Sequence, residues 1–297
     1  MTTRKKQETI LITGASGTVG SEVVKQLSRN GQAVNIKAAI HSVQNANKVS
    51  QYDRVQIVQI DYKKPESLVA AFKDADKLFL LTHPSPMTVE HESNLVAEAR
   101  KSGIRYIVKQ SIMGADLEAD VEAMRLHRQS EKIIEESGIP YTFLRPNEFM
   151  QGFINFQGPT IKSNNTFYLP AQDAKVSIVD VRDIAAVAVQ ALVDGDKHYN
   201  KTYLITGPEA LSYHQAAEIL SNATGKKIDY VNISDEEARG AMKKTGLDDW
   251  LINTILELNR YFRKGYASQV SSSVEEVTRR KPTTFTQFAT DYADAFR

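Results

Sequence analysis

The sequence lacks cysteine altogether, and this absence removes several kinds of chemistry at once. None of the 297 residues is Cys, so thiol nucleophiles, thiolate metal sites and disulfides are all excluded. An excess of charge of one sign is missing too, because 37 basic residues stand against 36 acidic ones, a formal net charge of +1. A chain with such a balance is not expected to have nucleic acid as its main partner.

Long hydrophobic runs are also missing. The longest apolar runs are as short as strands, far below the ~20 residues that span a bilayer. The first nine residues are basic but are not followed by the apolar core of a signal peptide. Apolar residues make up 41% of the chain and charged residues 25%, which is typical of a globular enzyme with a sizeable core. We therefore expect a cytoplasmic protein without a membrane partner, built as one large domain or two unequal ones.

Strand and helix patterns alternate through the first half of the chain. Short β-rich runs are predicted at 8–13, 34–40, 55–60, 78–81, 104–108 and 141–144. Between these runs the apolar residues recur at helical spacing, which predicts a helix between successive strands. This alternation favours an α/β fold with a Rossmann-type, doubly wound parallel sheet over residues 1–150. Late strands at 176–179 and 203–206 are expected to join that sheet. Residues 151–175 form a polar segment that is too long for a plain connector and is expected to cover something. Together with residues 207–297 they are expected to form a smaller, mostly helical substrate lobe, with capped helices beginning at Ser212 and Ser234.

Three glycines follow the first predicted strand, in the stretch ILITGASGTVG that ends at Gly20. Glycines also suit tight turns, but here a strand precedes them, a helix follows and a further β-α-β pattern comes after. In that setting Gly14 turns the chain, Gly17 admits a diphosphate and Gly20 lets the helix pack on the sheet. No Gly-Lys-Ser/Thr ends the run, so a Walker loop is excluded. The predicted cofactor contacts of this loop are Gly14, Ser16, Gly17, Thr18, Val19 and Gly20.

A carboxylate is missing where NAD-binding proteins usually hold the ribose 2′-hydroxyl, about 20 residues after the glycines. The second predicted strand ends in Ala-Ala-Ile followed by His41 and Ser42. Nothing there repels a 2′-phosphate, and His41, Ser42 or Lys48 could receive one, although the usual arginine is missing as well. The alternative is that these are ordinary loop residues. The sequence favours NADP(H) as the cofactor and NAD(H) less.

Four motifs in this order resemble the NmrA-like family of atypical short-chain dehydrogenases/reductases, and within it the triphenylmethane-dye and NAD(P)H:quinone reductase branch. They are the glycine loop ending at Gly20, Ile60-Asp-Tyr62, Ile139–Met150 and Val179–Ile184. The resemblance implies a Rossmann cleft with NADP(H), in which Asp61 and Tyr62 lie beside the adenine. It also implies that Thr82, His83, Pro84, Gln110 and Ser111 line the strand ends that face the dinucleotide, and that Asn147 to Met150 lie beside the nicotinamide. Some members of this family bind the dinucleotide as redox sensors without catalysis.

The Tyr and Lys pair of ordinary short-chain dehydrogenases, four residues apart on one helix, is missing. None of the twelve tyrosines is followed by Lys at that spacing. His127, on a predicted helix, falls where isoflavone-reductase-like enzymes hold a catalytic lysine, and Glu131 shares its helix face. His127 is therefore the candidate proton donor, with Glu131 raising its pKa. The alternative is an ordinary pair on a surface helix.

Three further side chains are candidates for substrate binding, because they follow a strand end at the expected mouth of the cleft: Phe149, Met150 and Phe153. Glu90, His91 and Glu92 are adjacent on a helix and point in different directions, so we expect a solvated face and no metal site. The leading hypothesis is an oxidoreductase that transfers hydride from NAD(P)H to an electron-poor conjugated acceptor, a quinone or aromatic dye. The alternative is a non-catalytic NADP(H)-binding redox sensor that acts through a protein partner. A homodimer is left open.

Overall fold

The structure is a computed structural model, and it describes residues 7–31, 34–117 and 121–297. The chain divides into two compact units. The first comprises the residues up to 111 together with 126–145 and 184–203, and the second comprises 112–125, 146–183 and 204–297. Residues 1–6, the basic start of the segment that we compared with a signal peptide, lie outside the described residues.

A seven-stranded sheet organises the first unit. Its strands lie in the order β3-β2-β1-β4-β5-β6-β9, and the first six are paired in parallel. The strand order reverses between β1 and β4, which is the signature of a doubly wound sheet. The predicted fold class is therefore confirmed. The strands of the chain are β1 Thr9–Ile12, β2 Asn35–Ile40, β3 Val55–Gln59, β4 Lys77–Leu80, β5 Ile107–Gln110, β6 Tyr141–Pro146, β7 Thr166–Leu169, β8 Lys175–Val176, β9 Lys201–Ile205, β10 Leu211–Ser212 and β11 Asp229–Asn232.

Helices connect the strands. In chain order they are α1 Thr18–Arg29, α2 Pro65–Phe72, α3 Thr88–Lys101, α4 Glu122–Glu136, α5 Gly158–Asn164, α6 Val181–Asp194, α7 Tyr213–Thr224, α8 Asp235–Lys244, α9 Asp249–Arg263, α10 Ser273–Thr278 and α11 Phe285–Asp291. None of the described helices combines the length and the apolar character needed to cross a membrane.

The central strands are buried along their whole length. Every residue of β1, β4 and β5 is buried, as expected when helices cover both faces of a parallel sheet. One side of the sheet packs Leu78 and Phe143 against Phe72 of α2 and Leu95 of α3, all of them at most 1% exposed. This burial fixes the strand ends, and those ends carry the candidate site.

The second unit has its own aromatic core. Phe153 contacts Phe167 and Phe285 edge to face, with ring centroids 5.4 and 5.0 Å apart. The predicted helix caps are confirmed: Ser212 and Ser234 each accept a hydrogen bond from a main-chain N–H three residues later and complete capping boxes. The unit therefore has both the core and the helix starts of an independently packed body.

One expectation for the region after β6 was wrong. The strand predicted at 176–179 does not extend the main sheet, because β8 pairs antiparallel with β10, and Val179 forms only an isolated bridge with Phe149. The segment 151–175, which is too long for a plain connector, contains a π-helical turn, Phe153–Gln157, followed by α5 and β7. Each of these elements is too short to show a periodic pattern.

Candidate functional site

The glycine loop between β1 and α1 is shaped by two of its three glycines. Gly14 has φ +62°, and a Cβ there would lie 2.9 Å from the carbonyl oxygen of Leu81. A Cβ on Gly20 would lie 2.2 Å from the carbonyl oxygen of Gly14, a distance that real carbon and oxygen atoms do not reach. Gly17 is different: its backbone is extended, and its Cβ would come within 4 Å of the Gly14 oxygen only, at 3.2 Å. The folded chain thus requires glycine at 14 and 20 but leaves space above Gly17.

Helix α1 begins directly after that space. Its N-cap is Gly17, no side chain caps it, and its first turn contains no acidic residue. The first main-chain N–H groups of a helix have no partner inside the helix, and the helix dipole adds a partial positive charge there. An uncapped helix start beside a glycine whose Cβ position meets only one protein atom fits a diphosphate group.

Thr13 fixes the loop to the next strand. Its hydroxyl donates to the Leu81 carbonyl and accepts from the Leu81 N–H, both at 2.9 Å, and it is fully buried. These two hydrogen bonds hold the glycine loop against the end of β4 and so keep the start of α1 at the carboxyl edge of the sheet.

Basic and aromatic side chains follow β2 and β3. Lys48 ends a short 3-10 helix, Val43–Lys48, and its Nζ lies 3.3 Å from the carbonyl oxygen of Ser16 in the glycine loop. His41 is exposed, with Nδ1 3.3 Å from the Ile60 carbonyl oxygen. A cation and an imidazole thus lie where a 2′-phosphate was predicted.

Asp61 and Tyr62 differ from each other in their surroundings. The Asp61 carboxylate accepts from the Lys63 N–H, which holds the pKa of this carboxyl below its ordinary value. The Tyr62 ring packs on His91, with centroids 5.2 Å apart, and burial together with the Glu92 carboxylate raises the pKa of Tyr62 to about 12. Tyr62 is therefore a neutral, half-buried ring that could cover an aromatic base.

A buried ion pair lies between β5 and α3. Lys109 and Glu92 are 0% and 1% exposed, and the Lys109 Nζ donates to Glu92 Oε2 at 2.6 Å. Thr82, two residues beyond β4, donates to the other carboxylate oxygen at 2.9 Å. Lys109 also donates to the Gln110 carbonyl oxygen at 3.2 Å and lies 3.4 Å from His127 Nδ1. The expectation that Glu92 belongs to a solvated face was wrong, because its helix packs this residue against a lysine inside the sheet layer.

Gln110, at the carboxyl end of β5, has a polar atom without a partner. Its Oε1 is buried and accepts no hydrogen bond from the protein, while the residue as a whole is 7% exposed. A buried acceptor left unpaired costs about 1–3 kcal/mol, so an atom of this kind at a strand end suggests a missing donor. The hydroxyl, amide and ribose groups of a dinucleotide would supply one.

Glu131 does not form the predicted pair with His127. Its carboxylate is fully buried and accepts from Ser111 Oγ at 2.7 Å and, in bidentate fashion, from Arg145 at 3.0 and 2.8 Å. Arg128 adds a fourth hydrogen bond at 3.2 Å. All the oxygens of Glu131 are thus engaged by other groups, and its role is to tie α4 to the ends of β5 and β6.

The electrostatics of His127 are the reverse of what we expected. Burial and the neighbouring Lys109 ammonium hold the pKa of His127 well below its ordinary value. The prediction that a carboxylate raises this pKa was wrong, because Lys109, and not Glu131, faces Nδ1. At neutral pH the imidazole is therefore uncharged.

The remaining predicted residues of the first unit lie as follows. His83 and Pro84 are exposed, while the hydroxyls of Thr82 and Ser111 are bonded to Glu92 and Glu131. Among the residues described, no group of three or more His, Asp or Glu side chains could hold a metal ion. The carboxyl ends of β1, β4 and β5 thus bring together the glycine loop, Thr82 and Gln110, with His127 nearby through Lys109.

The predicted residues after β6 belong to the second unit. Asn147 is buried; its amide nitrogen donates to Ser177 Oγ and to the Ala267 carbonyl, both at 2.8 Å, and its oxygen accepts from the Glu148 N–H. Asn147 thereby fixes the backbone that follows β6. Its predicted contact with the cofactor stays a prediction.

Of the three predicted substrate residues, two are core residues. Met150 and Phe153 are 1% and 2% exposed and pack in the aromatic core of the second unit, whereas Phe149 is only half-buried. The sequence showed three apolar residues within a five-residue stretch after a strand end, but it could not show which of them turn inward. Phe149 is the one whose side chain stays accessible.

Glu148, which lies within the segment predicted beside the nicotinamide but received no role of its own, has the most perturbed carboxyl of this segment. Burial raises the pKa of Glu148 to about 7, although the hydrogen bond that Tyr213 donates at 2.6 Å favours the charged form. Lys109 and Glu92 were also missed. A lysine that directly follows the apolar residues of a predicted buried strand is the signal that could have revealed the buried pair, since such a charge needs a partner.

Comparison with known proteins agrees with this geometry. The model of the NmrA-like family matches residues 6–289. An NAD(P)H azoreductase from Xenophilus azovorans is 35% identical over 97% of this chain and 99% of its own length. Two solved structures superpose with a TM-score of 0.84: an NADPH-dependent quinone oxidoreductase from Escherichia coli complexed with NADPH, 25% identical over 95% of this chain and 99% of that one, and a Citrobacter sp. triphenylmethane reductase complexed with NADP(H), 26% identical over 96% and 99%.

The family model and the azoreductase cover both units, so the match does not rest on the glycine loop alone. The resemblance found in the sequence motifs is thereby confirmed, and the chain belongs to the NmrA-like family.

Proposed function

We propose that the protein is an NAD(P)H-dependent oxidoreductase that transfers hydride to an electron-poor conjugated acceptor, a quinone or an aromatic dye. The observation that carries this proposal is the uncapped start of α1 beside Gly17, at the carboxyl edge of a doubly wound sheet. The relatives named for azo, quinone and triphenylmethane substrates support the same chemistry. Their acceptors share an extended π-system that is short of electrons.

The first unit supplies the groups that would hold the cofactor. The main-chain N–H groups of Thr18, Val19 and Gly20, with Ser16 at the loop, would bind the diphosphate. His41 and Lys48 would face the 2′-phosphate of NADP(H), which we propose as the preferred cofactor, and Asp61 and Tyr62 would lie by the adenine.

The strand ends would hold the rest of the dinucleotide. Gln110 Oε1 would accept the hydrogen bond that it lacks in the protein. Because the hydroxyls of Thr82 and Ser111 are already bonded to carboxylates, these two residues, with His83 and Pro84, would contribute main-chain atoms and shape. Contacts of Asn147 with the cofactor and of Phe149 with the substrate stay predictions.

A bound reduced nicotinamide supplies the hydride. The protein's own residues then need to bind and orient the partners, and this accounts for the absence of a Tyr and Lys pair. Hydride transfer leaves one negative charge on a neutral acceptor such as a quinone, and one proton from water completes that reaction. A cationic triphenylmethane dye becomes neutral on accepting the hydride and needs no proton.

The experiment is steady-state oxidation of NADPH and of NADH with a small quinone, an azo dye and a triphenylmethane dye. We expect turnover with at least one acceptor and a higher kcat/KM with NADPH. The Gly17→Ala variant is the background control, because it should fold normally and bind the cofactor poorly. Tight NADPH binding without turnover above this variant would refute the reductase and favour the redox sensor.

The cytoplasmic location and the homodimer also stay predictions. Light scattering coupled to size-exclusion chromatography distinguishes a monomer of 33.2 kDa from a dimer of twice that mass.

A further inference from the structure

The Lys109 ammonium has a complete set of hydrogen-bond acceptors. An ammonium has three N–H groups, and three acceptors surround the Lys109 Nζ: Glu92 Oε2 at 2.6 Å, the Gln110 carbonyl oxygen at 3.2 Å and His127 Nδ1 at 3.4 Å. Burying an ion pair is costly, and such pairs often serve specificity or chemistry more than stability. The third bond of Lys109 points to a histidine, which suggests what this pair does.

The bond from Lys109 determines where the imidazole carries its proton. Lysine has no acceptor atom, so the contact forms only when His127 Nδ1 is the unprotonated, accepting nitrogen. The proton of the neutral ring then sits on Nε2. No described residue bonds to Nε2, and Nε2 is not among the buried atoms that lack a partner. His127 is half-buried, so the Nε2–H group is available to donate.

The charged groups around His127 favour this state. They are Lys109 of β5 with its partner Glu92 of α3, and, on α4 itself, Arg128 and Glu131, the latter held by Arg145 of β6. The two carboxylates are each engaged by cations or hydroxyls and neither is bonded to the ring, so the charged group in contact with the imidazole is the Lys109 ammonium. A second positive charge on His127 would place an N–H group against the Lys109 N–H groups.

We propose that Lys109 is a positioning residue that fixes His127 as the neutral tautomer with its proton on Nε2, so that His127 donates a hydrogen bond to the acceptor under reduction and does not release a proton to it. The catalytic half of this inference rests on the proposed reductase function, whereas the tautomer does not. In the reduction of a quinone, the two electrons and the hydrogen nucleus of the hydride enter the acceptor, and the nicotinamide is oxidised. Negative charge develops on a quinone oxygen. His127 stabilises that oxygen from Nε2, and one proton from water then gives the hydroquinone.

A neutral histidine suits this role better than a charged one. Preorganised donors aimed at developing charge lower the barrier without giving up their proton. A group that keeps its proton also needs no return path for it between turnovers. His127 would thus supply, as a hydrogen-bond donor, what the missing Tyr and Lys pair supplies in ordinary short-chain dehydrogenases.

The tautomer is tested in the free protein by ¹⁵N NMR of selectively labelled histidines, with the His127 signals assigned by their loss in His127→Gln. We expect the Nε2–H pattern without titration over about pH 5.5 to 8. In Lys109→Met the proton should distribute over both nitrogens and the midpoint of protonation should rise. If that variant does not fold because Glu92 is left unpaired, the double variant Lys109→Met/Glu92→Gln replaces the pair by neutral groups and serves the same purpose.

A matched control is Lys132→Met, which removes an exposed lysine of the same helix and should leave the His127 signals unchanged. An Nδ1–H pattern in the wild type, titration of His127 near its ordinary pKa, or unchanged signals in the folded Lys109 variant would overturn the inference.

The catalytic half is tested by activity. His127→Leu should lower kcat with a quinone by about 10²-fold, His127→Gln should restore part of it through its amide N–H, and the wild-type kcat should stay flat through the pH range in which a free imidazole titrates. Equal kcat in wild type and His127→Leu would overturn the catalytic half. No turnover in the wild type would instead overturn the reductase function, and the NMR result would still decide the tautomer.

Discussion

Replacing Gly17 by alanine should separate cofactor binding from folding. Gly17 has φ −78° and ψ 174°, which any L-residue adopts without strain. The new Cβ would lie 3.2 Å from the Gly14 carbonyl oxygen, so a shift of a few tenths of an ångström relieves the contact. We therefore expect the free energy of unfolding of the free protein to change by less than about 1 kcal/mol.

The same methyl group should weaken binding strongly. It would stand between the start of α1 and the diphosphate, and would hold the phosphate oxygens away from the main-chain N–H groups. Hydrogen bonds to a charged group contribute about 1.5–3 kcal/mol each. The loss of two such bonds amounts to about 3 kcal/mol or more, which corresponds to a Kd for NADPH raised about 100-fold.

Calorimetric titration with NADPH, together with urea unfolding of the free protein, measures both effects. Gly20→Ala is the contrasting variant: its Cβ would lie 2.2 Å from the Gly14 oxygen, so it should lose about 1–3 kcal/mol of stability before any ligand is added. Gly240→Ala in α8, where no atom lies within 4 Å of the new Cβ, is the matched control and should bind NADPH normally. Wild-type affinity in folded Gly17→Ala would show that no diphosphate lies against this main chain.

Other changes test other parts of the molecule. Lys48→Met should lower kcat/KM with NADPH by about tenfold and leave that with NADH unchanged, as expected for one exposed phosphate contact; an equal loss with both cofactors would refute a 2′-phosphate contact. The pKa of the Glu148 carboxyl is raised in the folded state from 4.5 to about 7, so its stabilising effect is complete below pH 4.5 and is lost as the pH rises through 7. In the wild type the unfolding free energy should fall by at most about 3 kcal/mol between pH 4.5 and 7 because of this group. Glu148→Gln, whose side chain still accepts from Tyr213, should lack that fall. If urea unfolding at the two pH values gave the same fall in the variant as in the wild type, the prediction would be refuted. Glu92→Gln should cost about 3–5 kcal/mol because Lys109 is left buried without a counter-charge; a normal urea midpoint would show that this pair is solvated.

The predictions that succeeded rest on patterns that are local in the sequence. Strands such as β1 and β4 are short apolar runs because both of their faces are buried, and Pro65 begins α2 at the helical position where a missing N–H costs nothing. The glycine spacing also has a local cause, since Gly14 and Gly20 meet across only six residues. Such patterns require no knowledge of which strands are neighbours.

The predictions that failed depend on partners far apart in the chain. The β5 strand begins three residues later than expected, and this places Lys109 inside the sheet, where it meets Glu92, 17 residues earlier. Likewise, Glu131 was paired with His127 because they are four residues apart, yet it bonds Arg145, 14 residues later. Helical spacing shows which residues share a face, but not what packs against that face.

The sequence by itself determined the doubly wound sheet and the glycine loop, because these follow from periodicity and from residues that are close along the chain. It also indicated the family, through the resemblance of four short motifs. Only the tertiary structure decided the chemistry around His127. A pKa depends on the charge a few ångströms away, and that charge is the ammonium of Lys109, brought to the histidine by the pairing of β5 within the sheet and the packing of α4.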